Sequence, residues 1–255
     1  MLFRSRFAAT ANLSHPNVVR VHDWGVTDDG VWYYAMELLD GLDLSTLVKR
    51  AGPLPPGLVV FLGTQAASGL GEAHRRGTIH RDVKPGNLFV VAPGGVPERI
   101  ELLDFGIASV AEDEAGLTQA GMALGTPGFM APEVIAGAPG HTAGDIYGLG
   151  ATLYLAITGK NPRDAGGVPP SELVPSIPRA LDDVLVSCLD ADPARRPESA
   201  DDLAAALAAT GIAWAGGWTI DHVPAAPDEP ALDATVDADQ PATRADRLRQ
   251  GAGTN

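Results

Sequence analysis

The stretch IHRDVKPGNLFV, residues 79–90, brings an acid, a base and an amide close together in the chain. Asp82, Lys84 and Asn87 lie between two apolar runs, so we expect a short loop that is held by hydrophobic anchors. A carboxylate can take up a proton, an ammonium can neutralise an anion, and an amide can donate and accept hydrogen bonds. The alternative is a solvated turn, and the rest of the chain must decide between the two.

The segments around this loop have patterns that predict regular structure. Apolar residues recur at helical intervals over residues 57–77, and His-Arg-Arg before Gly77 gives a basic last turn and a glycine stop, so a long helix leads into the loop. The runs NLFVV and RIELLDFG predict a hairpin after the loop, and residues 18–25 and 31–39 predict another before it. The other predicted helices are the end of one at 7–13 and those at 43–50, 141–159, 177–189 and 199–210.

Composition limits the function classes. A chain of 255 residues with 45% hydrophobic residues can bury a core, and a net charge of −14 without clustered Lys and Arg argues against a nucleic-acid surface. The single cysteine, Cys188, excludes an internal disulfide and a Cys-based zinc site, so we expect a buried thiol and a reducing, cytoplasmic compartment. No H-x3-H pair occurs, so a catalytic metal would need oxygen ligands.

Two stretches near the end of the chain need separate interpretation. Residues 203–220 carry no charge over a length at the lower edge of a membrane span, but Ala, Gly and Thr predominate, so a helix end followed by a loop is favoured and a membrane contact is not expected. Residues 212–255 are rich in Pro, Ala and Asp and predict an acidic, disordered tail. Trp214 and Trp218 are the expected exceptions, because their large apolar area would dock on the last helix.

Four motifs follow one another in a fixed order. They are HRDVKPGN at 80–87, DFG at 104–106, GTPGFMAPE at 125–133 and DIYGLG at 145–150. Together they resemble the C-terminal lobe of a eukaryotic-type serine/threonine protein kinase, as found in bacteria, over about residues 7–209. The resemblance implies an α+β, protein-kinase-like fold, with a mostly helical C-lobe at 40–211 and a reduced N-lobe hairpin with the hinge at 1–39.

The resemblance also implies a role for each residue of the site. Asp82 would accept the proton of a substrate hydroxyl and Lys84 would lie near the transferred phosphate, so both would be catalytic. Asn87 and Asp104 would hold Mg²⁺ through oxygen ligands and would bind ATP through the metal. The hinge residues that would meet adenine are Met36, Glu37 and Leu39.

Other residues of these motifs would regulate or support the site. Arg81 resembles the arginine that clamps a phosphate in the activation loop, and Thr118 is the candidate acceptor of that phosphate. Thr126 resembles the residue that bonds the catalytic aspartate and lysine. The residues implied to be structural are His80, Phe105, the ion pair of Glu133 with Arg196, and Asp145 beneath the catalytic loop.

Parts of the family's pattern are missing or short. No G-x-G-x-x-G and no V-A-I-K occurs before Asp82, and Arg6 stands where the family usually has the glutamate that holds the strand lysine. We therefore expect an N-terminally truncated kinase domain whose hairpin has an exposed edge, with weak binding of Mg-ATP and little phosphotransfer. The segment 163–175 is also shorter than the family's docking segment, which affects the expected choice of substrate.

Three functions are compatible with these residues. The first is a serine/threonine protein kinase domain that acts on a protein hydroxyl. The alternative is a non-catalytic, kinase-like interaction module, or pseudokinase, which the missing phosphate loop favours and the intact Asp82, Lys84, Asn87 and Asp104 disfavour. A small-molecule phosphotransferase of related fold is the third, and the APE sequence at 131–133 together with Lys84 argues against it.

Overall fold

The computed structural model describes residues 13–28, 31–105 and 128–220. Most of the predicted helix end at 7–13, the candidate residues Thr118 and Thr126, and residues 221–255 of the predicted tail lie outside the described residues. All described residues belong to one unit, which is bounded by Met1 and Pro224.

The first sheet is the predicted N-terminal hairpin. β1, Val21–Val26, pairs antiparallel with β2, Trp32–Met36. β1 begins later than predicted because the residues before it pair elsewhere. Val18 forms a bridge with Leu102, and the Val19 N–H donates to the Leu102 carbonyl at 3.1 Å. This pairing ties the start of the hairpin to the second sheet.

The second sheet has three antiparallel strands. Their bounds are β3 Gly41–Asp43, β4 Leu88–Val91 and β5 Arg99–Leu102, and β4 lies in the middle. The pairing of β4 with β5 confirms the hairpin predicted after the polar loop. The sequence does not predict β3, since three residues are too few to show an alternating pattern. Gly41 has a φ of 151°, and a Cβ there would lie 2.0 Å from the Val90 carbonyl oxygen, so this close pairing requires glycine.

The described residues form seven α-helices. Their bounds are α1 Leu44–Ala51, α2 Pro56–Arg75, α3 Pro132–Ile135, α4 Thr142–Thr158, α5 Pro170–Leu173, α6 Arg179–Cys188 and α7 Ala200–Ala209. α1, α2, α4, α6 and α7 correspond to the predicted helices. Ser199 caps α7, as its type predicts, and its hydroxyl oxygen accepts from the Asp202 N–H at 3.1 Å. α3 and α5 are single turns, which are too short for a periodic pattern.

Helix α2 lies at the centre of the core. Leu62 and Leu70 of α2 are buried in one cluster with Leu149 and Leu153 of α4. A Cβ on Gly63 would lie 2.8 Å from a terminal methyl of Leu153, so the glycine lets α2 and α4 approach closely. This packing holds α2, which leads into the polar loop, against α4, which carries Asp145.

The chain turns away from α7 at Gly211. α7 ends at Ala209, and Gly211 has a φ of 68°, a backbone conformation that favours glycine. The uncharged run at 203–220 is therefore a helix end followed by a loop, as its composition favours. Within the described ranges, no helix is long and apolar enough to cross a bilayer.

Residues after Gly211 fold back onto the core. Trp214 and Trp218 are partly buried against the core cluster, and their docking on the last helix in particular stays a prediction. The backbone at Ala213 lies over the start of α2, because a Cβ on Gly57 would be 2.6 Å from the Ala213 carbonyl oxygen. The segment 212–220 is thus packed, and the predicted disordered tail stays a prediction for the residues that follow it.

Candidate active site

The polar loop between α2 and β4 brings three of the predicted site residues together. Lys84 Nζ donates to Asp82 Oδ2 at 2.7 Å, and Asn87 Nδ2 donates to the same oxygen at 2.9 Å. Asn87 Nδ2 also donates to the Asp82 carbonyl at 2.8 Å. A 3-10 turn, Pro85–Asn87, bends the chain so that the three side chains converge. Asn87 is buried, whereas Asp82 and Lys84 are partly exposed.

A buried carboxylate on α4 fixes the backbone of this loop. Asp145 is 2% exposed and accepts hydrogen bonds from the His80 N–H at 2.8 Å and the Arg81 N–H at 2.7 Å. His74 Nε2, at the end of α2, is a third partner at 2.8 Å. The predicted anchoring place of Asp145 is therefore observed. The sequence indicates His74 only as part of a basic last turn, because its partner lies 71 positions away.

His80 links the loop to the DFG segment. Its ring is fully buried, and Nε2 donates to the Leu103 carbonyl at 2.9 Å while the ring lies 4.5 Å from that of Phe105. Burial lowers the pKa of His80, so the ring is neutral near pH 7 and keeps the single ring proton that this bond needs. These contacts agree with the structural role predicted for His80 and Phe105.

Asp104 is held next to Asn87 by the backbone. The Leu103 N–H donates to the Asn87 carbonyl at 2.9 Å, so the residue that follows Leu103 stands beside the loop. Asp104 has a φ of 51° and Arg81 has a φ of 69°, and these are the non-glycine residues with positive φ among those that the structure describes. Backbone conformations of this kind persist where the surroundings enforce them, and they are frequent at functional sites.

Tyr34 on β2 contacts the same aspartate. Its hydroxyl donates to Asp104 Oδ1 across the gap between the hairpin and the DFG segment. Burial, and after it the hydrogen bond to Asp104, raise the pKa of the Tyr34 hydroxyl. Sequence reasoning missed this contact, because the two residues are 70 positions apart and a tyrosine on an apolar strand is ordinary.

The predicted hinge follows β2. The Glu37 N–H donates to the Arg20 carbonyl at 3.1 Å, and the Glu37 carboxylate accepts from the Arg20 N–H at 2.8 Å. Met36 is exposed at the end of β2, and Leu39 lies two residues after Glu37. The contact of these residues with adenine stays a prediction.

A cleft of about 540 Å³ lies beside Glu37. Its charged lining residues are Arg20, Glu37, Arg99 and Glu101, and residues 13–16 form one wall. Glu101 is buried, and burial raises its pKa, with the nearby charge of Glu37 acting in the same direction and Arg99 opposing it. Asp82 and Asp104 are not among the lining residues, so this cleft is separate from the polar loop.

The ion pair of Glu133 and Arg196 lies at the start of α4, the helix that carries Asp145. Two nitrogens of Arg196 donate to the two carboxylate oxygens of Glu133, each at 2.7 Å. Arg196 also donates to the carbonyls of Asp190 and Ala143, so its buried guanidinium has several partners. Burial would raise the pKa of Glu133, but the hydrogen bonds and charge of Arg196 outweigh it, and the pKa is lowered. The ion pair predicted from the resemblance is present, with Arg196 buried and Glu133 partly buried.

Gly148 of DIYGLG allows α4 to pack closely against the polar loop. A Cβ on Gly148 would lie 2.7 Å from the Val83 carbonyl oxygen. Asp145 and Gly148 are one helical turn apart, so the same part of α4 both binds the loop backbone and lies against it. The sequence places Gly148 in a motif but does not indicate this function.

The residues present fit a magnesium site. Mg²⁺ binds through one or two protein oxygens and keeps waters and phosphate oxygens. The amide nitrogen of Asn87 is used by Asp82, so the amide oxygen remains for a metal, and Asp104 offers a carboxylate. No cluster of three or more His, Cys, Asp or Glu that could hold a metal occurs in the described part of the chain.

The regulatory prediction is only partly within the described residues. The side chain of Arg81 lies against Gly140, since a Cβ on Gly140 would be 3.0 Å from Arg81 Cγ. Thr118 and Thr126 lie outside the described ranges, so the pairing of Arg81 with a phosphate on Thr118 stays a prediction.

The chain is similar to known protein kinases over most of its length. Residues 4–206 match the family model described as "Protein kinase domain". The chain belongs to this family. It is 35% identical to the serine/threonine-protein kinase pkn3 of Myxococcus xanthus over 225 residues, which is 81% of this chain and 41% of that protein. It is 37% identical to PknJ of Mycobacterium tuberculosis over 244 residues, which is 88% of this chain and 40% of that kinase.

Solved structures agree on the fold of the kinase domain. The PknI kinase domain of Mycobacterium tuberculosis, crystallised as a single-site mutant, aligns with a TM-score of 0.64 at 33% identity and covers 82% of this chain and 79% of that one. Rad53 1–466 in complex with AMP-PNP aligns with a TM-score of 0.65 at 23% identity, over 79% of this chain and 53% of that one, and shows the fold alone. The predicted family and α+β kinase fold are confirmed. The domain spans between 33% and 41% of the length of the curated relatives it matches.

Proposed function

We propose that this kinase domain transfers the γ-phosphoryl group of Mg-ATP to a serine or threonine hydroxyl of a protein substrate. The observation that carries the proposal is the convergence of Lys84 and Asn87 on the Asp82 carboxylate, at 2.7 and 2.9 Å. Relatives named serine/threonine-protein kinases support a hydroxyl substrate.

Asp82 is the proton acceptor in this proposal. Both side-chain contacts use Oδ2, so Oδ1 remains to accept a hydrogen bond from the substrate hydroxyl. As the hydroxyl oxygen bonds to the γ-phosphorus, the bond from that phosphorus to the bridging oxygen breaks, ADP leaves, and the hydroxyl proton passes to Asp82. The Lys84 ammonium offsets the negative charge that spreads over the phosphoryl oxygens.

Asn87 and Asp104 are the proposed ligands of magnesium. Bound Mg²⁺ supplies charge neutralisation and alignment of the ATP phosphates. The contribution of the chain is to hold the Asn87 amide by its nitrogen and to place Asp104 directly after Leu103, which is bonded to the Asn87 carbonyl. Met36, Glu37 and Leu39 are the proposed contacts with adenine.

Control by phosphorylation and the cellular location are part of the same proposal. A phosphate on Thr118 would pair with the Arg81 guanidinium and order the activation segment, and Thr126 would bond Asp82 and Lys84. We propose a cytoplasmic location, because the reaction consumes ATP and because the single cysteine, Cys188, allows no internal disulfide.

Substitution of Asp82 tests the catalytic proposal. Asp82→Asn keeps the size of the side chain and removes the proton acceptor. Little transfer is expected of this chain, because no G-x-G-x-x-G precedes Asp82. We expect Asp82→Asn to lower the remaining transfer of radiolabelled phosphate from ATP to a generic Ser/Thr-containing protein by about 10²–10⁴-fold. Nucleotide affinity, measured by calorimetry, should stay nearly unchanged, since Asp82 acts on the hydroxyl and not on ATP.

Asp183→Asn is the matched control. Asp183 lies on α6 with a side chain that is 65% exposed, so this variant should keep the turnover of the original chain. Equal transfer by Asp82→Asn and the original chain would refute the role of Asp82. Tight binding of Mg-ATP by the original chain without any phosphate transfer would favour the alternative, a non-catalytic interaction module, because the kinase proposal expects weak binding together with little transfer.

A further inference from the structure

Tyr34 reaches the metal-binding side of the site from the hairpin. It lies on β2 two residues before Met36, so the two side chains share one face of the strand. Its hydroxyl donates to Oδ1 of Asp104, which is the carboxylate proposed to bind magnesium. The neighbouring residue, Tyr33, lies on the opposite face of the strand.

This hydrogen bond occupies an oxygen that a metal would use. A carboxylate oxygen that accepts from a phenol has less electron density to offer a cation, and a divalent cation at that oxygen repels the phenol proton. A metal that binds at Oδ1 must therefore displace the Tyr34 hydroxyl.

The position of the contact argues against a purely structural role. Tyr34 and Asp104 are both exposed, and a hydrogen bond between exposed groups adds little to folding stability because water replaces it. By contrast, the backbone of Asp104 is held by the Leu103 contacts to His80 and Asn87, so the remaining freedom is that of its side chain. Tyr34 selects one orientation of that side chain.

We propose that the Tyr34 hydroxyl is a positioning group that competes with Mg²⁺ for Oδ1 of Asp104, so that metal binding at this oxygen must break the bond between the hairpin and the DFG segment. The proposal rests on the proposed function, in which Asp104 is a metal ligand. Competition is reciprocal: what weakens the Tyr34 bond strengthens metal binding, and the metal in turn releases Tyr34.

Binding of Mn²⁺ to the 255-residue chain, without nucleotide or substrate, tests this competition. The concentration of free Mn²⁺ is measured from its electron paramagnetic resonance signal. Tyr34→Phe removes only the hydroxyl, so we expect about 3–10-fold tighter Mn²⁺ binding, the range expected for loss of one competing hydrogen bond to a charged group that is partly exposed. Tyr33→Phe, on the opposite face of the same strand, is the matched control and should bind Mn²⁺ as the original chain does.

A measurement on the unaltered chain gives a second, independent test. The chain has four tyrosines, and labelling them with ¹³C at Cζ gives one resonance for each, of which Tyr34 is assigned by its loss in Tyr34→Phe. Mg²⁺ should shift the Tyr34 resonance, because its acceptor is taken by the metal, and should leave the resonance of Tyr33 in place.

The outcomes separate this inference from the proposed function. Tighter Mn²⁺ binding by Tyr34→Phe, with loss of binding in Asp104→Asn, supports the competition. Unchanged or weaker binding by Tyr34→Phe, together with loss in Asp104→Asn, would overturn the competition and leave Asp104 as a metal ligand. Unchanged binding in Asp104→Asn would overturn both the competition and the metal assignment. A Tyr34 resonance that does not respond to Mg²⁺ at saturation would also overturn the competition.

Discussion

The polar loop is held by buried side chains, whereas the N-terminal hairpin is largely exposed. The loop backbone is bonded to the buried Asp145, and its His80 ring and the supporting Arg196 are almost fully buried. The hairpin exposes large apolar side chains, and Leu38 after it is 100% exposed. The loop proposed to move the proton is therefore anchored to the core of the domain, while the hairpin and the residues proposed to meet adenine lie at its edge.

Because of this difference in burial, we expect the two regions to differ in local stability. A two-stranded hairpin is marginally stable in water by itself, and here it forms a sheet separate from β3, β4 and β5. Its described connections to the remainder include the Val19 bond to Leu102 and the Tyr34 bond to Asp104. Segments with few buried contacts open locally at low free energy, so we expect the hairpin to open without disturbing the geometry around Asp82.

The largest expected effect comes from breaking the buried support. Arg196→Ala would leave the Glu133 carboxylate without its bidentate partner and would remove a guanidinium that is bonded to two carbonyls. Loss of one partner of a buried ion pair typically costs about 3–5 kcal/mol of unfolding free energy. Urea unfolding followed by circular dichroism measures this loss of unfolding free energy.

Arg195→Ala is the control for this substitution. Arg195 is next in the chain, its side chain is 73% exposed, and its nearest acid, Asp192, is 3.9 Å away. Substitutions at such exposed positions usually change stability by less than about 0.5 kcal/mol. Similar losses for both arginines would show that the region around Arg196 is not the rigid support described above.

A smaller effect is expected from pushing α4 away from the catalytic loop. Gly148→Ala would place a Cβ 2.7 Å from the Val83 carbonyl, and overpacking of this kind costs about 1–3 kcal/mol. Because the loop must shift, phosphate transfer should also fall, while ATP affinity at the hinge should change little. Steady-state kinetics and urea unfolding of the same variant measure both effects.

Gly144→Ala is the control that separates the effect of the close contact at Gly148 from the effect of helix propensity. Gly144 lies on the same helix, and a Cβ there would meet only Val134, at an ordinary distance of 3.6 Å. Alanine is a better helix former than glycine, so this variant should be unchanged or more stable by at most about 1 kcal/mol. If Gly148→Ala behaved like Gly144→Ala, the close approach of α4 to the loop would not be important for the site.

The parts of the structure that could be predicted from the sequence are those determined by residues close together in the chain. Helices α2, α4 and α7 follow from apolar periodicity and from signals such as the Ser199 cap, and the convergence of Asp82, Lys84 and Asn87 follows from a turn of six residues. The pairing of β4 with β5 is also local, since one connection joins the two strands.

The parts that sequence could not predict depend on distant segments meeting in space. The bond from His74 to Asp145 joins residues 71 positions apart, and that from Tyr34 to Asp104 joins residues 70 apart. β3 exists because Gly41 allows its backbone to approach Val90, and three residues carry no pattern of their own. The motifs indicate which residues the site contains, and tertiary packing decides which other side chains constrain them.

The smallest expected effect lies at the hinge. Leu38 is 100% exposed, so Leu38→Ala removes no buried contact and should change the free energy of unfolding by less than about 0.5 kcal/mol. The same substitution at the fully buried Leu149 of α4 should cost about 2–5 kcal/mol, because it leaves a cavity in the core. Urea unfolding of both variants at one pH gives the contrast directly. A loss above about 1 kcal/mol for Leu38→Ala would mean that the hinge is packed against another part of the protein, and the division into a rigid catalytic region and a loosely held hairpin would then be wrong.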